Sequence, residues 1–288
     1  MHTWLGAHPE VFLPRKEIHY FGSDLTHRRA EMSHSDYLSF FQGASAEQRV
    51  VGEVAVWYLL SKKACEEIQA VSPDARILIQ LRRPDQMLYS LHQQLLYAGE
   101  EDLEAFSEAL AAEGDRQAGR RIPDSLHLGF YAPPLECVLY RAVAAFGTQV
   151  ARYIDTFGRD RVHVVFFEDL VAHPEKTYAE VCRFLDVDAE FQPDFRVLNS
   201  GRDVRFPRLR DGLNALRGGG GRGVVPPPLR ALGAQMFSAL SEFNTRVEPR
   251  AALDPELARE LLADLSGEID LLENRLERDL SAWRVPAE

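Results

Sequence analysis

The sequence predicts an α/β fold, with a parallel sheet flanked by helices and a helical C-terminal cover. Three observations carry this expectation. Residues 77–81 (ILIQL) form a short apolar run that ends in Arg82-Arg83-Pro84. Such a run suits a buried strand, and a proline suits the first turn of a helix, where its missing N–H is no loss. Residues 161–167 (RVHVVFF) repeat the pattern and lead through Glu168-Asp169-Leu170 to a helix beginning at Pro174. Finally, Leu257, Leu261, Leu265, Ile269, Leu272, Leu276, Leu280 and Trp283 recur in steps of three and four. That period gives one apolar face, which packs on the domain rather than forming a coiled coil.

Bulk properties narrow the function. A chain of 288 residues holds one α/β domain spanning 1–288, with enough apolar material for a sizeable core. The net charge of −11 argues against nucleic-acid binding, which needs a basic footprint. An anionic ligand must then be held by a local cluster: Arg15/Lys16, Arg82/Arg83, or Arg202, Arg205, Arg208 and Arg210. Cys65, Cys137 and Cys182 are odd in number and lack metal-ligand spacing, so buried free thiols, a reducing compartment and no metal are expected. No apolar run approaches a membrane span, and a cytoplasmic location with no membrane partner is expected.

Taken in order, residues 1–6 read as a helix broken by His8-Pro9, and residues 32–41 as a helix entered from Ser33 or Ser35. Glu53 is the one charge in the apolar run 50–60, so a partly buried carboxylate with a structural partner is expected there. Ser61 is placed to cap a helix over 61–70. The helix after Pro84 runs towards Tyr97 and closes at Gly99. Residues 114–129 read as a basic, glycine-containing loop, 134–157 as one long helix, and 228–247 as another. Residues 217–228, GGGG followed by VVPPP, read as a mobile loop, because they lack the Lys-Ser/Thr of a phosphate-cradling loop.

Two places hold candidate chemistry. In open α/β sheets ligands bind beyond the carboxyl ends of the strands, and helix N-termini favour anions. Arg82 and Arg83 stand at such a corner. In Pro14-Arg15-Lys16-Glu17-Ile18-His19-Tyr20-Phe21, an extended backbone would turn Glu17 and His19 to one face and Lys16 to the other. The segment reads either as a solvated loop or as a general base beside an imidazole.

Four stretches in this order, residues 4–21 (WLGAHPEVFLPRKEIHYF), 81–90 (LRRPDQMLYS), 153–188 and 271–283 (LLENRLERDLSAW), resemble the sulfotransferase family that uses 3′-phosphoadenosine 5′-phosphosulfate (PAPS). The likeness is to bacterial members of the branch related to heparan-sulfate sulfotransferases. The resemblance implies a P-loop-like sheet and PAPS as donor, with a small-molecule or carbohydrate hydroxyl or amine as acceptor. It implies that Arg82 and Ser90 hold the 3′-phosphate and that Glu17 is the base, with His19 as its fallback. Lys16, Arg202 and Arg205 are further candidates for donor contacts. The family's 5′-phosphosulfate loop belongs just before Trp4, where this sequence has only Met1, His2 and Thr3. A first central strand is therefore expected to be missing, with the sequence starting at an internal Met of a longer protein. The alternative is a non-catalytic relative that binds nucleotide or a partner.

Overall fold

A computed structural model of the chain describes residues 1–26, 32–127, 133–195, 202–204, 245–247 and 252–286. Its centre is a parallel pair, β3 (Ile77–Leu81) and β4 (Val162–Phe166), in register from Ile77 opposite Val162 to Leu81 opposite Phe166. Two short pairs accompany it. β1 (Val11–Phe12) runs parallel to β2 (Val50–Val51), and β5 (Arg202–Val204) is antiparallel to β6 (Thr245–Val247). Among the described residues the expected sheet is thus realised as separate two-stranded pairs.

Alternation along the central pair builds two faces, because successive strand side chains point oppositely. Ile77, Ile79 and Leu81, with Val162, Val164 and Phe166, face α8 (Phe146–Phe157), α12 (Ser266–Leu276) and Trp283. Leu78 and Val165 face the other way, towards α1 (His2–Gly6) and α10 (Pro174–Leu185). Helices therefore cover both faces, as expected for an α/β layer. The C-terminal apolar series splits into α11 (Pro255–Asp264) and α12, and both pack on the domain. The three cysteines are free and buried.

After β3 the chain enters α4 (Pro84–Ala98), which starts on Pro84 and ends where Gly99 turns left-handed at φ 74°. The apolar side of α4 packs on α5 (Phe106–Ala111), on Leu126 and residues 135–144, and on α11. Earlier, α2 (His34–Ser39) is entered from Ser33, and α3 (Ala64–Val71) has its first N–H groups held by Ser61.

Three expectations are corrected. Residues 114–129 are not one loop: α6 (Glu113–Gln117) and a 3-10 turn at Asp124–His127 fall within them. The span 134–157 is not one helix but a 3-10 turn at Leu135–Val138, then α7 (Tyr140–Val143), then α8. Tyr140 belongs to the cluster around α4, whereas Phe146 belongs to the central one, so the chain turns between two cores. Residues 245–247 are strand β6, where tertiary pairing overrides local helix preference. The rest of 228–247 lies outside the described residues, as do 217–228, Arg205, Arg208 and Arg210.

One buried network fixes α4 to its surroundings. The Arg116 guanidinium donates twice to Glu101, at 2.8 and 2.6 Å, and both side chains are fully buried. Tyr140 also donates to Glu101 at 2.7 Å. Burial would raise the Glu101 carboxyl, but hydrogen bonds from Arg116, the Leu103 N–H and Tyr140 outweigh it and hold the group below its ordinary value. The stabilisation is therefore complete above the unfolded carboxylate pKa of about 4.3 and disappears as pH falls from there through the folded value. Glu101→Gln should destabilise the fold by about 3–5 kcal/mol at neutral pH, since it leaves the Arg116 charge buried without its partner. In urea titrations that difference should shrink below about pH 4. A difference independent of pH would show that Glu101 is not ionised in the folded chain.

Candidate functional site

The residues preceding α2 place the predicted base. The Glu17 N–H donates to Val54 O at 2.9 Å, and the Val56 N–H donates to the Glu17 carboxylate at 3.4 Å. Ile18 between the two candidates is fully buried and acts as the anchor. The segment is not the extended one on which the sequence reading placed Glu17 and His19 on one face. Glu17 and His19 both hold left-handed backbone, at φ 61° and 52°. Such conformations persist in non-glycine residues only where the surroundings enforce them. Their side chains meet, with His19 Nε2 3.0 Å from a Glu17 oxygen. The His19 side chain is 10% exposed and that of Glu17 31%, so the carboxylate is the more accessible group.

Tyr58 holds the end of the segment. Its hydroxyl donates to Glu53 at 3.0 Å and accepts the Phe21 N–H at 3.3 Å. Tyr37 donates to the same Glu53 oxygen at 3.3 Å, and its ring stacks on Tyr20 at 4.1 Å. Glu53 thus has the structural partners its sequence context implied. Burial and the neighbouring Glu53 push the Tyr58 and Tyr37 hydroxyls well above their ordinary values, which keeps both as donors.

Lys16, Glu17 and His19 line one cleft of about 420 Å³ together with Arg15. Lys16 was expected on the opposite face; the left-handed turns bring it to the same one. The facing wall is α4, through Leu91, Gln94 and Leu95, with Trp57 at one side and Glu100 beyond the helix end. Trp57, Gln94 and Glu100 were not singled out from sequence. Trp57 sits in an apolar run that reads as core, and Glu100 follows a helix cap.

Arg82 and Ser90 lie outside this cleft but on the same helix system. Arg82 follows β3 directly and donates to Gln86 at 3.1 and 3.3 Å, with its guanidinium 4.9 Å from the centre of the Phe167 ring. Gln86, Ser90 and Gln94 recur every fourth residue, so they form one stripe along α4. At a rise of about 1.5 Å per residue the stripe is roughly 12 Å long. It runs from the Arg82 corner to the cleft that holds Glu17. This polar line was legible in the sequence but was read there only at Ser90.

Arg83 has a different task. Its guanidinium is paired with buried Asp85 at 3.1 and 3.0 Å and donates to Ala282 O, while its N–H donates to Glu168 at 3.0 Å. It fastens the C-terminal segment to the corner and leaves Arg82 as the cation facing the helix stripe. Arg202 lies in β5, whose backbone passes beside α4. Arg205 is outside the described residues.

A profile described as the sulfotransferase family matches residues 1–192. Among solved structures the chain is similar to a sulfotransferase from Alicyclobacillus acidocaldarius, with 26% identity and a TM-score of 0.69 over 98% of this chain and 91% of that one. A sulfotransferase domain from the curacin biosynthetic pathway aligns over 56% of this chain and 46% of that one, at 13% identity and a TM-score of 0.35. Comparison with curated protein sequences gives no match.

The Tyr58 hydroxyl yields a prediction. Tyr58→Phe removes a donor to the Glu53 carboxylate and should lower stability by about 1–3 kcal/mol. It also removes the acceptor of the Phe21 N–H, so amide exchange at Phe21 should accelerate beyond the change in global stability. Unchanged exchange there would show that the left-handed turns are held by other contacts.

Proposed function

The chain belongs to the sulfotransferase family, and we propose that it moves a sulfonate group from PAPS to an acceptor hydroxyl or amine. The observation that supports this most directly is the Glu17–His19 pair, 3.0 Å apart in a cleft walled by α4. The helix's polar stripe leads back from that cleft to Arg82. The half-buried guanidinium of Arg82 and the hydroxyl of Ser90 are of the kinds that suit phosphate oxygens. These residues fit the 3′-phosphate of the donor. Lys16, on the cleft wall with Glu17, would lie near the transferring sulfonate, and Arg202 is a further cationic candidate beside α4.

In the proposed step the acceptor oxygen, or the nitrogen of an amine, forms a bond to sulfur as the sulfur–oxygen bond to the donor's 5′-phosphate breaks. The acceptor proton passes to the Glu17 carboxylate. The products are the sulfate ester, or the sulfamate from an amine, and 3′-phosphoadenosine 5′-phosphate. His19, half-buried against Glu17, orients the carboxylate and is the fallback base. Catalysis here is mainly positioning, since two bound reactants are held in one geometry before charge moves.

Incubation of the full chain with PAPS carrying a radiolabelled sulfonate, against a panel of alcohols and amines, tests the reaction. Transfer of label supports the proposal. Binding of 3′-phosphoadenosine 5′-phosphate without transfer to any acceptor would instead identify a non-catalytic relative, and absence of both would overturn the donor assignment. Arg82→Ala should weaken 3′-phosphoadenosine 5′-phosphate binding by roughly 1.5–3 kcal/mol, the range for a charge-assisted contact; equal affinity in calorimetry removes Arg82 from the site. Glu17→Gln should lower kcat at least a hundredfold, within the usual range for general base catalysis of about 10²–10⁴, while nucleotide affinity stays near wild type. Undiminished turnover would transfer the role to His19.

A further inference from the structure

The lining of the Glu17 cleft carries information about the acceptor. Two cations, Arg15 and Lys16, are matched there by two carboxylates, Glu17 and Glu100, so the wall has no net positive charge. Arg15 lies 4.8 Å over the Phe40 ring. In the basic stretch 116–121, Arg116 is buried on Glu101, and Arg120 donates to Asp115 at 2.6 Å. Besides His19 and Gln94, the remaining lining is apolar, formed by Val56, Trp57, Leu91, Leu95 and Pro133. Val56 is 61% exposed.

Resting on the sulfotransferase reading, we infer that the acceptor is a neutral alcohol or phenol with an apolar body that lies against Trp57, Val56 and Leu91, rather than a polyanionic sugar chain. A sugar polyanion would need a row of uncompensated cations, because its charges lose solvation on entering the cleft. An apolar body needs only the area that these side chains present, and a flat indole face suits an aromatic or aliphatic surface. The carboxylate of Glu17 then stands on the same wall, where a hydroxyl proton must leave. Trp57 is in this assignment a specificity-determining residue.

The chain contains three tryptophans, of which Trp4 and Trp283 are core residues, 9% and 4% exposed. Trp57 is half-buried in the cleft wall and is therefore the natural fluorescent reporter. Titration of the wild-type chain with n-octanol should shift tryptophan emission, the shift should vanish in Trp57→Phe, and a carboxylated heparosan tetrasaccharide should produce none. In transfer assays with PAPS, label should pass to n-octanol and not to the tetrasaccharide. Trp57→Ala should raise KM for n-octanol about tenfold with little change in kcat, and Trp57→Phe should restore it. Binding or sulfonation of the tetrasaccharide in preference to n-octanol overturns the inference. So does an octanol shift that survives in Trp57→Phe. Failure of the donor reading is read separately, as loss of both 3′-phosphoadenosine 5′-phosphate binding and label transfer, while the fluorescence titration still decides the acceptor surface.

Discussion

The parallel pairing of β3 with β4 is the constraint on which the rest depends. Five residues on each strand are in register, so the two carboxyl ends finish together and two chain turns must be fitted side by side. The Arg83 N–H reaches Glu168 across that edge, and the Arg82 guanidinium lies over Phe167. Alternation along the same strands sends one set of side chains to α8 and α12 and the other to α1 and α10. One pairing therefore sets the core on both faces and the position of the cationic corner.

The corner alone would be only an anion-binding turn. It becomes part of a longer site because α4 leaves it with a polar stripe, Gln86, Ser90 and Gln94, on the side away from its buried residues Leu88, His92 and Leu95. At the far end the chain 15–21 closes the cleft. The left-handed backbone at Glu17 and His19 is unfavourable for these residue types, and it is held by Ile18 in the core and by the Tyr58–Glu53 hydrogen bonds. The local strain is compensated by buried contacts outside the pair itself, which is the usual arrangement at functional positions.

The C-terminal cover has a similar double use. Trp283 fills the space between Phe146 and Phe166, and the backbone around it accepts from Arg83. Arg278 pairs with Asp169 at 2.7 and 2.9 Å while lying over the Phe166 ring. Residues remote in sequence thus brace the ends of β4 and α4 simultaneously. Exposed ion pairs contribute little on their own, so the brace depends mainly on the buried tryptophan and on the shielded Arg83–Asp85 pair.

What the sequence determined by itself is the part governed by local periodicity and by residue type. Apolar runs identified β3 and β4, Pro84 and Gly99 bounded α4, the three-and-four spacing of leucines gave the cover, and three isolated cysteines gave buried thiols. The residues of the candidate site could be named individually, Glu17, His19, Lys16, Arg82 and Ser90, because their chemistry is carried by side-chain type. Only the tertiary structure decided which of them meet. Positive φ at Glu17 and His19 has no signature in non-glycine residues, so the shared cleft with Lys16 could not be read from an assumed strand. The break between α7 and α8 likewise has no strong helix breaker. It arises because Tyr140 and Phe146 are drawn into different cores. Trp57 looked like one more core residue in an apolar run, and its place in the cleft wall depends on α4 packing opposite it, a contact between segments more than thirty residues apart.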